Sequence, residues 1–383
     1  MSDSQDLPLG GTVKYNPHLW DDNELRAIFV VRHLKLATAL DRIRTCPPGK
    51  VPQHLLVIGY RGMGKTTLLR RIALAVADDP KLAADWIPLT FPEEQYTVST
   101  LAELWMNVLD ALADRLERQG ATPDQLAELD AGIQEIEELP PPPEREDAAQ
   151  AMLRDWTARR QRRLLLLIDG SDLLLANLGQ IKGRRGRVVD AGATPLWRLR
   201  KTLSHDPAIF WLGASYQALE ANHQCQDAFR DFFELLELRP LKLDEMRWSL
   251  LALARTFGAD PDLRGEKAEQ EMQRNLDARP ERLRSLRTLT GGNLRTTVIL
   301  YELLAAGWEG NVHSDLKALL DLMTPLYKAR MEQLAEQPRK LLALLMEHWD
   351  PTGAGDLARS AHHRQRPAQP AHRGRISGKG VFG

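Results

Sequence analysis

The stretch that decides the fold is "HLLVIGYRGMGKTTLL", residues 54–69. A short apolar run leads directly into residues 59–66, GYRGMGKT, which match the phosphate-loop pattern G-x-x-x-x-G-K-[ST] at every fixed position. Glycines at these positions let backbone N–H groups point at phosphate oxygens, and the helix that follows adds a favourable dipole at its N-terminus. The stretch therefore predicts a strand, a phosphate-binding loop and a helix, with a nucleoside triphosphate as the ligand.

The roles of individual residues follow from the same pattern. Lys65 is predicted to reach the β- and γ-phosphates, and the hydroxyl of Thr66 is predicted to ligate Mg²⁺. Leu68, Ile72 and Val76 recur on one face of the segment after the loop, as in an amphipathic helix. The predicted nucleotide contacts in this stretch are Gly59, Arg61, Gly62, Met63, Gly64, Lys65, Thr66 and Thr67.

A second apolar run, "RRLLLLIDGSD" at residues 162–172, supplies an acidic group for the same site. Five uninterrupted apolar residues are typical of a strand buried in a parallel sheet, and such strands place their carboxyl ends at the ligand-binding edge. Asp169 follows the run directly and is predicted to act on the same Mg²⁺ as Thr66, through water or through the Thr66 hydroxyl.

The group that would activate the attacking water is not obvious in this sequence. Gly170 stands where a glutamate would normally follow the metal aspartate, and glycine has no side chain to take up a proton. Asp172 is one substitute. Glu93 and Glu94 are others, because they follow the predicted strand "DWIPLTF" and would lie at the same sheet edge. Glu94 is favoured slightly over the other two.

Apolar strand patterns alternate with helical patterns over most of the chain, which predicts an α/β fold. We expect a P-loop NTPase with three αβα layers and a parallel sheet, followed by an α-helical lid and a partial winged-helix-like C-terminal segment. The predicted division is an N-terminal segment (1–50), the ATPase core (51–240), the lid (241–312), the winged-helix-like segment (313–360) and a disordered basic tail (361–383).

Two further segments carry specific structural expectations. Residues 24–43 are predicted to form one helix with an apolar face of Leu34, Ala37, Leu40 and Ile43. Residues 127–150 contain an acidic run and four consecutive prolines, and are predicted to be a solvated connection rather than core.

Composition narrows the setting of the protein. The 383 residues are 43% apolar and 27% charged, with a formal net charge of −1, so no global field indicates a nucleic-acid or membrane partner. The two cysteines, Cys46 and Cys225, suit a reducing compartment. No apolar run approaches the length of a membrane span, and a cytoplasmic location is expected.

Taken with the phosphate loop, several motifs resemble those of AAA+ ATPases of the origin-recognition initiator type and the related STAND NTPases. "FVVRHLKLATAL" is similar to the F-V-G-R-E box that packs around adenine in those families, with Phe29, Val30 and Arg32 matching. Val31 and His33 replace the glycine and glutamate of that box. The resemblance covers about residues 25–350 and implies that Phe29 and Val30 contact the base.

The resemblance also assigns roles around the phosphates. "DGSD" resembles the family's D-E-x-D, with Asp169 and Asp172 retained, and "WLGAS" resembles the sensor-1 strand that ends here in Ser215. "GGNLR", residues 291–295, resembles the lid's sensor-2 motif, in which Arg295 would reach the phosphates. An arginine from a neighbouring subunit often completes such sites, and Arg230 is the candidate, with Arg239 as competitor.

Partners other than ATP are less defined by the sequence. "IKGRRGR", residues 181–187, is a compact basic loop that would contact DNA or RNA phosphates, or simply be solvated. Residues 336–360 resemble the opening of a winged-helix DNA-binding domain, but the composition changes near Ser360 before a recognition helix is reached. The resemblance implies self-association through the ATPase core and a protein client that the sequence does not identify.

Three functions compete on this evidence. The first is an ATPase that uses ATP binding and slow hydrolysis for conformational change or assembly, on DNA or elsewhere. The second is a nucleotide-dependent regulatory switch with negligible hydrolysis, which Gly170 favours. The third is a small-molecule kinase, which the long helical lid argues against.

Overall fold

The computed structural model describes residues 20–91, 98–140, 143–179, 194–219, 227–258 and 265–306, together with Lys317, Asp321 and Arg339. The chain divides into two compact units, Met1–Asp315 and Leu316–Gly383. Every helix and strand below belongs to the first unit. The predicted winged-helix-like segment and basic tail lie outside the described residues, apart from those three single positions.

A five-stranded parallel sheet forms the centre of the first unit, in the order β2-β3-β4-β1-β5. The apolar run before the phosphate loop is paired on both sides, by β4 and β5, with Leu55 opposite Leu212 and Glu234. The strands are β1 Leu55–Ile58, β2 Trp86–Phe91, β3 Arg163–Ile168, β4 Ile209–Ser215 and β5 Glu234–Glu237.

Helices cover both faces of this sheet because its strands are apolar on both sides. In β3, Leu164 and Leu166 join the core on one face, and Leu165 and Leu167 join the core on the other. The first face is covered by α5 Leu101–Arg118, α6 Pro123–Glu137, α7 Glu144–Arg160, α8 Ser171–Gly179 and α9 Pro195–His205. The second is covered by α2 His33–Thr45, α3 Lys65–Asp78 and α4 Pro80–Asp85. The predicted three-layer αβα fold with a parallel sheet is confirmed.

The prediction for residues 127–150 was wrong. The acidic stretch is the helix α6 followed by the start of α7, and Leu129, Ile133 and Ile136 are buried in the core. Thr122 begins α6 with a capping box to Gln125, and Pro123 occupies its first turn. The three apolar residues recur at helical spacing, so one buried stripe is enough to hold an otherwise charged helix against the domain.

The single helix predicted over residues 24–43 was also wrong. The chain forms α1 Asp22–Ile28 and then α2, separated where Arg32 adopts a left-handed backbone with φ of 69°. The buried face of α2 is Leu36, Ala39 and Ile43, whereas Leu34 is 77% exposed. Both sets of residues have helical spacing within α2 and share Ile43, so spacing alone did not decide which face is buried.

The helical lid follows the sheet and has a core of its own. It consists of α10 Leu243–Phe257, α11 Glu266–Ala278, α12 Pro280–Thr290 and α13 Leu294–Ala306. Met246, Leu250, Leu276 and Leu286 are among its buried residues, and Val31 packs with them. Gly291 takes a left-handed conformation that ends α12, so the motif "GGN" forms a turn between two helices. None of the described helices has both the length and the apolar character needed to cross a membrane.

His54, immediately before β1, is buried as a neutral imidazole. Its Nε2–H donates to the carbonyl of Leu203 at 2.9 Å, and its Nδ1 accepts the backbone N–H of Trp211 at 3.1 Å. Burial lowers the pKa of His54 from 6.5 to about 4, although the hydrogen bond to Leu203 opposes the shift. The imidazole therefore links α9 to β4 only while it is uncharged.

We predict a pH-dependent loss of stability from this histidine. Because the folded-state pKa is depressed, its contribution is complete above pH 6.5 and is lost as pH falls towards 4, by about 3 kcal/mol in total. Denaturant titrations at pH 7 and pH 4.5 should show that His54→Gln has a smaller loss of unfolding free energy than wild type. His205→Gln, which removes an exposed imidazole, is the control. Equal losses in wild type and His54→Gln would contradict the prediction.

Candidate functional site

The predicted phosphate loop connects β1 to α3 at the carboxyl edge of the sheet. The backbone N–H of Gly59 donates to the carbonyl of Ser215 at 3.3 Å, which joins the start of the loop to the end of β4. Gly62 and Gly64 adopt positive φ angles of 84° and 88°. Among the described residues, no hydrogen-bond acceptor is recorded for the N–H groups of these two glycines. These N–H groups are suited to donate hydrogen bonds to a phosphate anion at the N-terminus of α3.

Lys65 lies over this loop and is bonded to its backbone. The ammonium donates to the carbonyl of Gly59 at 2.7 Å and to that of Tyr60 at 3.4 Å. The positive charge is thus held at the mouth of the loop, where a phosphate would be bound. A bound phosphate would compete with these two carbonyls for the ammonium.

Thr66 and Asp169 are brought together from different elements. The Thr66 hydroxyl, in the first turn of α3, donates to Oδ2 of Asp169 at the end of β3. The other carboxylate oxygen accepts the backbone N–H of Gly170 at 3.0 Å, and Asp169 is buried. A hydroxyl and a carboxylate side by side form a hard-oxygen donor set that fits Mg²⁺.

Gly170 turns the chain from β3 into α8. Its φ is 66°, and its carbonyl accepts the N–H groups of Leu173 and Leu174 in the first turn of the helix. A side chain at a left-handed position costs roughly 1–2 kcal/mol. Replacing Gly170 with glutamate would therefore strain the backbone, so the missing carboxylate cannot simply be restored here.

Asp172 and Ser215 lie close to each other at the ends of neighbouring elements. Oδ2 of Asp172, in the first turn of α8, accepts the backbone N–H of Tyr216 at 3.3 Å. The Ser215 hydroxyl is fully buried and donates to the carbonyl of Gln217. Asp172 is thus aimed at the carboxyl end of β4, while the hydroxyl of Ser215 closes its own turn.

The lid motif "GGNLR" reaches the phosphate loop through its backbone and through Asn293. The N–H of Arg295 donates to the carbonyl of Gly62 at 3.0 Å, and Nδ2 of Asn293 donates to the carbonyl of Arg61 at 2.9 Å. The motif pointed to the arginine, and sequence reasoning missed the asparagine. Its position before a helix, where asparagine is a preferred N-cap, was the available signal.

Comparison with known families shows what this region resembles. Residues 29–184 match the family described as an AAA ATPase domain. This part of the chain is therefore similar to an AAA ATPase domain. The matched residues include the phosphate loop and Asp169, so the candidate nucleotide site lies inside the matched region.

Several solved structures are similar to this chain over most of its length, at low sequence identity. The Aeropyrum pernix ORC1 protein in complex with DNA is 13% identical, with a TM-score of 0.45, over 88% of this chain and 80% of that one. The Aeropyrum pernix ORC2 protein is 15% identical, with a TM-score of 0.45, over 87% and 79%. The Thermotoga maritima RuvB Holliday junction branch migration motor is 16% identical, with a TM-score of 0.31, over 89% and 82%. Comparison with curated proteins gave no match.

The two residues predicted to contact adenine lie in different surroundings. Phe29 is buried, and its ring is edge-on to that of His33, with 5.7 Å between the ring centroids. The guanidinium of Arg71 lies 6.0 Å from the centroid of the Phe29 ring. Val30 lines a cleft of about 820 Å³ between α1 and the lid helix α10, together with Trp248. The cleft has no phosphate-loop residue in its wall, so the contact of Phe29 and Val30 with the base stays a prediction.

The candidate arginines lie at opposite ends of β5. Arg230 precedes the strand and is exposed, with Asp227 4.0 Å away. Arg239 follows the strand and pairs with Glu237 at 2.8 Å. Because the phosphate loop is at the carboxyl edge of the sheet, Arg230 lies at the far end of β5 from it, and its role as an arginine supplied to a neighbouring copy stays a prediction.

Other predicted site residues lie outside the part of the chain that the structure describes. These are Glu93, Glu94 and the basic loop at residues 181–187. Their roles stay predictions.

Proposed function

We propose that this protein uses ATP·Mg²⁺ binding, with slow hydrolysis, to change the arrangement of its lid or to drive assembly. The observation that carries the proposal is the direct attachment of the lid turn to the phosphate loop, beside the Thr66–Asp169 pair. A ligand that changes the conformation of the loop therefore moves the lid turn through hydrogen bonds that join the two directly. A conformational response to ATP is what such an attachment supports best.

Slow hydrolysis follows from the carboxylates available near the phosphates. A positioned general base is typically worth about 10²–10⁴-fold in rate. Gly170 cannot act as that base, and Asp169 is the expected metal partner. Of the other described carboxylates at this edge, Glu237 at the end of β5 pairs with Arg239, and Asp172 accepts the N–H of Tyr216. We propose Asp172 as the group that orients the attacking water, with Glu94 as the competing candidate.

The second candidate function is a nucleotide-dependent regulatory switch with negligible hydrolysis. The left-handed backbone at Gly170 favours it, since this geometry disfavours a side chain at the usual position of the base. Both functions use the same ATP site. They differ only in whether the γ-phosphate is cleaved at a useful rate.

Steady-state ATP hydrolysis by wild type and Asp172→Asn separates the two. The amide keeps an oxygen for the Tyr216 N–H but cannot accept a proton, so we expect turnover to fall by about 10-fold or more, with ATP affinity unchanged. Asp41→Asn, which changes an exposed carboxylate on α2, is the control. Unchanged turnover in Asp172→Asn would show that the base lies elsewhere. Turnover at background in wild type would favour the switch.

The proposed partners are a second copy of the chain and DNA. Self-association is supported by the exposed position of Arg230, at the sheet edge away from its own phosphate loop. DNA is supported only by the sequence of residues 181–187 and of the C-terminal segment. Running the hydrolysis assay with and without DNA, beside a measurement of mass in solution, tests both.

A further inference from the structure

The turn between α12 and α13 is seated on the phosphate loop. Its contacts there are with two successive loop carbonyls, which accept from the Asn293 side chain and from the Arg295 N–H. The fit is close: a Cβ built on Gly62 would come within 2.5 Å of Oδ1 of Asn293. The positive φ of Gly62 already favours glycine at a position that the phosphate-loop pattern leaves free, and the lid turn adds a steric reason.

The carbonyls of residues 59–62 all accept hydrogen bonds. Lys65 donates to those of Gly59 and Tyr60, and the lid turn donates to those of Arg61 and Gly62. Because the Arg61 and Gly62 carbonyls are bonded to the lid turn, the N–H groups in that part of the loop are left to face an anion. The lid turn therefore helps to fix the loop conformation on which phosphate binding depends.

The same turn is tied to the segment where the sheet gives way to the lid. The N–H of Leu241 donates to the carbonyl of Gly292 at 2.7 Å, and Nε of Arg287 donates to the carbonyl of Leu241 at 3.2 Å. Arg32 holds this segment from the other side by donating to the carbonyl of Arg239. The turn thus lies between the phosphate loop and the start of the lid.

We infer that Asn293 is a positioning residue that transmits the conformation of the phosphate loop to α13. Its amide nitrogen bonds the loop, while its Oδ1 caps α13 by accepting the N–H groups of Arg295 at 2.9 Å and Thr296 at 3.3 Å. A phosphate that draws Lys65 away from Gly59 and Tyr60 frees the first half of the loop to move. The Arg61 carbonyl then moves Asn293, and the helix capped by Asn293 follows. This inference rests on the proposed binding of ATP at the loop.

Asn293→Ser removes the hydrogen bond of the side chain to the loop and keeps an oxygen that can cap α13. Serine is a good N-cap and keeps an oxygen for the helix, but it is too short to reach the Arg61 carbonyl. In nucleotide-free protein, we expect hydrogen exchange within 61–64, where the Met63 N–H is bonded to the Tyr60 carbonyl, to be about 2- to 10-fold faster than in wild type, as for the loss of one hydrogen bond. With saturating ATP, the protection that ATP gives to amides in α13 should fall towards zero.

Thr122→Ala is the matched control, because it removes an N-cap from α6, outside the nucleotide site. It should leave exchange at 61–64 unchanged. Equal exchange at 61–64 in Asn293→Ser and wild type, or faster exchange in both variants, would overturn the role of Asn293. If calorimetry shows that the wild type does not bind ATP, the proposed function is wrong. The exchange measured without nucleotide still tests the contact of Asn293 with the loop.

Discussion

Lys65→Ala is expected to abolish tight ATP binding and to raise the Kd for ATP by about 100-fold or more. The ammonium is the cation held at the mouth of the loop, bonded to the Gly59 and Tyr60 carbonyls until a phosphate replaces them. Interactions of this kind between a charged donor and phosphate oxygens are strong in a partly buried site. Alanine removes the charge and leaves those two carbonyls facing the phosphates.

Isothermal titration calorimetry with ATP and Mg²⁺ measures this effect directly. Lys81→Ala, which removes an exposed lysine from α4, should bind ATP as wild type does. A thermal unfolding curve for each variant checks that the fold is retained. ATP affinity within a few-fold of wild type in Lys65→Ala would contradict the assignment of the ATP site.

Asp169→Asn is expected to have the second largest effect, on the use of Mg²⁺. The amide oxygen can still accept the Thr66 hydroxyl, so the local structure is kept, but the carboxylate charge that favours a divalent cation is lost. We expect affinity for ATP with Mg²⁺ to fall by about 10-fold or more, and hydrolysis to become undetectable. Affinity for ATP in the presence of a chelator should stay close to that of wild type.

Comparing titrations with Mg²⁺ and with chelator isolates the metal. Asp206→Asn is a suitable control, since its carboxylate lies beside Arg154 before β4, at the opposite end of that strand from Ser215. If Asp169→Asn lowers affinity equally with and without Mg²⁺, the carboxylate acts on the fold or on the nucleotide itself, and the metal role is wrong.

The sheet and the phosphate loop could be predicted because their signals are local and redundant. The loop pattern, the apolar run before it and the stripe of Leu68, Ile72 and Val76 after it all indicate the same strand–loop–helix unit. The run before Asp169 is apolar at every position because β3 is buried on both faces. These features depend on neighbouring residues alone, so they can be predicted without knowledge of tertiary contacts.

Other features depend on contacts between distant segments and could not be predicted in this way. The helices at 127–150 look charged and proline-rich, and only the burial of a narrow stripe holds them to the core. The left-handed backbone of Arg32 divides one predicted helix into α1 and α2, and that of Gly170 would strain a glutamate there. The contact of Asn293 with Arg61 joins positions 232 residues apart, and no local pattern encodes it.

The most direct test of the central claim is whether ATP binding, without turnover, moves the lid relative to the core. Energy transfer between labels introduced through unnatural amino acids at the exposed positions Glu135, on α6, and Lys267, on α11, reports that movement. A non-hydrolysable ATP analogue with Mg²⁺ should produce the same change as ATP, ADP should produce less, and Lys65→Ala should show none. A change that appears only while ATP is being hydrolysed, or that ADP produces in full, would contradict the claim.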